Sequence, residues 1–125
     1  MVTRKQKEIE ELLRREISSI IVRDLKDPRI GFVTVTRVRV GGDFRTAKVY
    51  VMIRGSDEEQ EETLEVLTGA RGRIQGLVSD RIKMRNTPVL TFLQDEEVVQ
   101  ALRVDRLIDE VMEEHEKEEE EEEEE

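Results

Sequence analysis

Two consecutive segments rich in β-branched residues restrict the fold of this chain more than any other part of its sequence. Residues 46–53, TAKVYVMI, alternate apolar and polar side chains, which predicts a strand with one buried face. Residues 32–40, FVTVTRVRV, predict a second strand, but their valines change phase near Thr36. That change indicates either a β-bulge or cover on both faces. Because residues 41–43 are the turn-forming Gly-Gly-Asp, we expect an antiparallel hairpin.

Helical patterns on both sides of this hairpin provide a cover for its apolar face. Residues 3–25 carry apolar side chains at spacings of three and four, and Pro28 predicts that this helix ends near Leu25 or Lys26. A second apolar stripe, from 64 to 82, follows a capping box at its start. Beyond it, VLTFL after Pro88 predicts a third strand, and apolar residues between 102 and 112 predict a last helix.

The resulting order is α-β-β-α-α-β with an extra C-terminal helix. It predicts an α+β fold in which helices cover one face of a three-stranded sheet. We expect one domain over residues 1–114. Residues 116–125 hold nine glutamates and one lysine, so the net charge of −10 becomes −2 without them. Because such blocks repel and bury nothing, the sequence predicts a disordered poly-Glu tail over residues 115–125, which adds solubility.

Several classes of protein are disfavoured by what the sequence lacks. It has no cysteine and no apolar run long enough to span a membrane, and its first residues do not resemble a secretory signal, so we expect a cytoplasmic protein. Its one histidine, His115, lies at the edge of the tail, where nothing rigid orients it for proton transfer. No nucleophile motif, phosphate loop or zinc-ligand cluster is present. We therefore expect a protein without enzymatic activity, metal or other cofactor.

Three glycines interrupt the second helical stripe, although each costs about 1 kcal/mol relative to alanine inside a helix. On a helical wheel, Gly69, Gly72 and Gly76 lie opposite the apolar stripe, so they are predicted to present bare backbone to solvent. Residues 71–85 carry five basic side chains and one acidic one. A phosphate chain can approach such a backbone closely. The alternative is that Gly69 follows a helix end, Gly72 belongs to a turn, and the arginines are simply solvated.

The segments DLKDPRIGFVTVTRVRV, DFRTAKVYV, LTGARGRI and RNTPVLTFLQDE together resemble ribosome-binding factor A, in order and spacing, over residues 4–112. The resemblance implies a KH domain of the second type, in which an A-x-G helix kink, here Ala70-Arg71-Gly72, replaces the usual G-x-x-G loop. It also implies binding to the small (30S) ribosomal subunit and its 16S rRNA, with assistance in late maturation of the rRNA 5′ region, particularly in the cold. The protein would act as a monomer, away from membranes.

The resemblance and the basic block together predict an RNA-binding surface. Its residues are Ala70, Arg71, Gly72, Arg73, Gly76, Lys83 and Arg85. Two positions depart from the family's pattern, because Arg73 stands where an aromatic residue often follows the kink and Gln75 stands where an arginine is found. Individual contacts are therefore not transferred. Two alternatives stay open: a protein-interaction module that contacts a ribosomal protein or a GTPase, and a KH domain that acts on another RNA.

Further residues have both a structural and an RNA-binding interpretation. Arg29, after Asp27-Pro28, is expected to pair locally and fix the turn into the sheet rather than contact RNA. Arg4, Lys5 and Lys7 either extend the RNA surface or are solvated. The four aromatic residues, Phe32, Phe44, Tyr50 and Phe92, lie in or near the predicted strands and are expected to pack in the core. We therefore expect recognition of RNA shape and phosphate more than of base sequence.

Overall fold

The first helix, α1, covers Arg4–Ser19 and continues into a π-helical segment, Ile20–Asp24. The structure is a computed structural model that describes residues 2–124, with the side chains of 104–109 and 119–124 outside the description. Thr3 caps α1, since its hydroxyl accepts a hydrogen bond from the Gln6 N–H at 3.1 Å. The helical path stops at Lys26, whose φ of 45° is left-handed. The predicted end of the helix is therefore confirmed.

The sheet has strand order β1-β2-β3, with β1 at Val33–Val40, β2 at Thr46–Ile53 and β3 at Val89–Gln94. Strands β1 and β2 are antiparallel, as the hairpin predicts, whereas β3 runs parallel to β2. The register shifts between Val35 and Arg37, so a bulge lies at Thr36. The bulge turns both Val35 and Val38 into the core, which explains the change of phase seen in the sequence.

Helices α2 (Asp57–Gly69) and α3 (Arg71–Arg81) complete the cover of the sheet. Both contact β3, while α1 packs on β1 and touches α3. The apolar side chains that meet in this core, all fully buried, include Leu13, Ile17, Val49, Val51, Leu67, Ile74 and Leu90. The buried Glu10 carboxylate on α1 also accepts the Val40 N–H at 3.1 Å, which satisfies a backbone donor at the end of the edge strand. Element order and layers confirm the predicted α+β fold.

The last helix, α4, covers Glu96–Glu124. The contacts divide the chain into Met1–Asp95 and Glu96–Glu125, whereas the sequence predicts a division after residue 114. Residues 115–124 are helical in the structure. The physical reason is that glutamate is a good helix former and that this segment contains neither glycine nor proline. Among the described residues, no helix is both long enough and apolar enough to cross a membrane.

Candidate nucleic-acid interface

The glycines of the second helical stripe are exposed, as predicted. Gly69 is the last residue of α2, and Gly72 and Gly76 lie inside α3. A Cβ atom built on any of the three would meet nothing within 4 Å, and none has a left-handed backbone. The alternative in which Gly69 follows the helix end and Gly72 forms a turn is therefore wrong. Neither the backbone conformation nor packing inside the protein requires glycine at these positions.

Ala70 is the residue at which α2 ends and α3 begins. Its φ of −86° and ψ of 2° lie outside the helical region, and it is half-buried against the core. Its N–H donates to the carbonyls of Val66 and Leu67 at 2.9 and 3.1 Å, and its own carbonyl accepts the Ile74 N–H at 3.0 Å. No side chain caps the first turn of α3. The bend thus leaves the N–H groups at the start of α3 without a side-chain acceptor, which favours an anion there.

The two arginines beside the bend have different surroundings. Both are exposed, and no hydrogen bond or ion pair engages the Arg71 side chain within the described part of the chain. The Arg73 guanidinium instead donates to the Asp24 carbonyl oxygen at 3.0 Å, at the end of the π-helical segment. Arg73 therefore ties the start of α3 to the end of the first helix, and Arg71 is the cation available to a ligand.

The α2 side of the bend is acidic, which limits the predicted RNA-binding surface to the α3 side. A shallow groove beside Gly69 and Ala70 is lined by Glu62, Glu65 and the Asp27–Arg29 pair. That pair is closed by a contact of 2.7 Å between Arg29 Nη2 and Asp27 Oδ2, which confirms the local pairing expected for Arg29. Its hydrogen bonds from the Arg29 side chain and backbone lower the pKa of Asp27 to about 2. The carboxylates thus lie on the α2 side of the bend, and the unpaired Arg71 side chain lies on the α3 side.

Arg81 contributes less positive charge to the surface than the sequence suggests. Its guanidinium lies 2.8 Å from Asp24 Oδ2 and 3.9 Å from Glu16 Oε2. These carboxylates neutralise it and join the end of α3 to the first helix.

Lys83 and Arg85 lie in a different groove from the glycines. We call it the basic groove; its volume is about 590 Å³. Its cations come from three parts of the chain and are Lys5, Arg45, Lys83 and Arg85. The residues predicted to bind RNA thus fall into two groups, because none of positions 70–76 lines this groove. Sequence reasoning missed Arg45 altogether, since no spacing signal links a hairpin turn to the segment after α3.

The aromatic residues do not all pack in the core. Phe92 is 5% exposed and confirms the prediction, and Phe44 is half-buried against the core. Tyr50 is half-buried, with the Arg37 guanidinium 4.2 Å from its ring centre. Phe32, at 80% exposed, contradicts the prediction. It precedes β1, and although its carbonyl accepts the Arg54 N–H at 3.1 Å, no helix covers its side chain.

The element order, the mixed three-stranded sheet and the bent α2–α3 pair define a KH-like domain of the second type. The chain belongs to the ribosome-binding factor A family, whose model matches residues 5–108. A relative of that name from Halothermothrix orenii is 42% identical over 91% of this chain and 93% of its own length. One from Thermomicrobium roseum is 46% identical over 91% of this chain and 88% of its own.

Solved structures of the family show the same fold. The crystal structure of ribosome-binding factor A from Thermus thermophilus is 30% identical, with a TM-score of 0.64 over 71% of this chain and 94% of that one. A homology model of the Thermus thermophilus factor, fitted into a cryo-electron-microscopy map of a 30S–RbfA complex, is 32% identical, with a TM-score of 0.57 over 67% and 88%. The solution structure of a Thermotoga maritima protein described as a ribosome-binding factor A is 32% identical. Its TM-score is 0.58 over 68% of this chain and 85% of that one.

Proposed function

We propose that this protein is a non-catalytic assembly factor that binds the small (30S) ribosomal subunit through its 16S rRNA. In this role it assists late maturation of the rRNA 5′ region, including in the cold, and it acts as a cytoplasmic monomer without a cofactor. The proposal is supported by membership of the ribosome-binding factor A family and by the relative that was fitted into a 30S complex. The chemistry of the α3 surface supports RNA as the direct partner.

The observation that carries the proposal is the open glycine face of α3. Gly72 and Gly76 are one helical turn apart, and each weakens the helix by about 1 kcal/mol relative to alanine. Because nothing inside the protein requires them, a close external partner accounts for the missing side chains. Arg71 and the uncapped start of α3 supply positive charge and N–H donors at the same end of the helix.

The full proposed surface keeps the seven residues predicted from the sequence, with different roles. Gly72, Gly76 and Arg71 contact the RNA backbone. Ala70 and Arg73 position them, because the first forms the bend and the second ties it to the first helix. Lys83 and Arg85 bind phosphate in the basic groove. Such contacts depend on phosphate charge, so affinity falls steeply with salt.

The first test is Gly72→Glu, which places a carboxylate on the α3 face where the structure leaves space. We expect affinity for the 30S subunit to fall by at least about tenfold, because the new charge meets phosphate. Co-sedimentation with subunits at two salt concentrations measures it.

Gly31→Glu is the matched control, since that glycine is equally open and lies outside α3. Circular dichroism establishes that both variants fold. Equal binding by the two variants would show that the glycine face is not the contact surface. Repeating the assay with protein-free 16S rRNA separates RNA binding from docking on a ribosomal protein, because only the first survives removal of the proteins.

A further inference from the structure

The basic groove carries more positive charge than the carboxylate in its lining neutralises. Lys5 comes from the start of α1, Arg45 from the β1–β2 turn, and Lys83 and Arg85 from the segment between α3 and β3. Asp43 is the carboxylate among the lining residues, and its Oδ2 lies 4.0 Å from Arg45 Nε. Within the described chain, the side chains of the other three cations make no ion pair. The groove therefore has a local charge of +3 for a bound anion.

Apolar side chains also line the basic groove. Ile9, Phe44 and Met84 are each half-buried and pack on the hydrophobic core with part of their surface, while another part faces the groove. A site for phosphate alone needs no such surface. A nucleotide has both parts, because its phosphate is anionic and the face of its base is apolar and aromatic.

The backbone of the turn holds Phe44 in this position at a conformational cost. Its φ of 59° is left-handed, which is uncommon for a large side chain. Three hydrogen bonds fix the turn: Phe44 N–H to Gly41 O at 3.0 Å, Gly41 N–H to Thr46 O at 3.0 Å, and Arg45 N–H to the Asp43 carboxylate at 3.1 Å. The same turn therefore sets an aromatic ring and a cation side by side in the groove.

We propose that the basic groove binds a short unpaired segment of RNA, with phosphates on its cations and a base against Phe44. This inference rests on the proposed function, which places Lys83 and Arg85 on phosphate, and it adds the form of RNA that the groove binds. An unpaired strand is required because the base faces in a duplex are already stacked and cannot reach the ring. The volume of about 590 Å³ lies in the range of sites for small ligands, which suits about one or two nucleotides.

The test is a titration of ¹⁵N-labelled full-length protein with hexauridylate, followed by amide chemical shifts. We expect the largest shifts at residues 43–46 and 83–86, and no such shifts with an RNA duplex of about 12 base pairs. Shifts confined to residues 69–76, or equal shifts in the groove with both RNAs, would overturn the groove as a single-strand site. Neither result tests whether the 30S subunit binds the glycine face of α3.

Charge variants give the matching affinity measurement. The double variant Lys5→Gln/Arg45→Gln is compared with a control double variant, Arg23→Gln/Lys48→Gln. The control pair is also one lysine and one arginine, both exposed, but it lies outside the groove. Removing two phosphate contacts should reduce the salt slope for hexauridylate by about 1.4, since each contributes about 0.7 on a single strand. Equal slopes for the two double variants would contradict the inference.

Phe44→Leu separates stacking from charge, since leucine retains apolar packing without an aromatic ring. We expect about tenfold weaker hexauridylate binding with an unchanged salt slope. Unchanged affinity for hexauridylate would show that no base stacks on Phe44. Subunit binding by Gly72→Glu is measured in parallel, so that loss of the groove and loss of the proposed function are distinguished.

Discussion

At the scale of the residue, pairing partners decide what each charged side chain does. Arg71 and Arg73 are neighbours of the same glycine, yet only Arg73 is held by a backbone carbonyl of the first helix. Arg81 belongs to the same basic block but faces two carboxylates. The sequence correctly predicts that this block contains more basic than acidic side chains. It does not distinguish the free cations from the paired ones, because the partners lie about 50 residues away in the chain.

The Asp27–Arg29 pair makes stability depend on pH in the acidic range. The folded-state pKa of Asp27 is lowered to about 2 from an ordinary value of 3.8, so its stabilising contribution is present above pH 3.8 and lost as pH falls through 2. We expect Asp27→Asn to reduce the urea midpoint at pH 7, with the difference from wild type shrinking between pH 4 and pH 2. Asp80→Asn is the control. A difference as large at pH 2 as at pH 7 would assign the effect to packing of the turn instead of charge.

At the scale of the element, the glycines of α3 are the clearest departure from what stability alone would select. Because Gly72 and Gly76 are helical and open, alanine fits both sites without strain. We expect Gly72→Ala and Gly76→Ala each to raise the free energy of unfolding by about 1 kcal/mol, measured by urea denaturation. Gly55→Ala should lower it, since Gly55 has a φ of 130°. Destabilisation by the α3 alanines would mean that the helix needs glycine for its own packing.

The elements themselves were largely predictable, because period, capping and turn residues agree with one another along the first 95 residues. The capping box expected before the second helical stripe is formed by Ser56 at the start of α2, and the phase change at Thr36 is a bulge. Two features were not predictable. Phe32 satisfies the strand pattern but lies beyond the helical cover, and the basic groove is assembled from segments distant in sequence.

At the scale of the whole molecule, the proposed RNA-binding surface belongs to a chain with a net charge of −10. Deleting residues 116–125 leaves −2, so long-range repulsion from RNA decreases. We expect the truncated protein to associate faster with the 30S subunit at about 0.05 M salt, and equally fast at about 0.5 M, where screening removes the difference. Stopped-flow mixing measures both rates. A tail in which glutamine replaces glutamate separates charge from length, and slower association of the truncated protein would indicate that the tail itself binds the subunit.

Opposite charges on the two sides of the α2–α3 bend have a consequence beyond attraction. Glu62 and Glu65 border one side, and Arg71 with the open start of α3 borders the other. An RNA strand lying across the bend gains contacts when its phosphates lie on the α3 side, and it is repelled when it shifts toward α2. Under the proposed function, this charge asymmetry sets the direction in which the protein lies on its RNA and disfavours misaligned encounters.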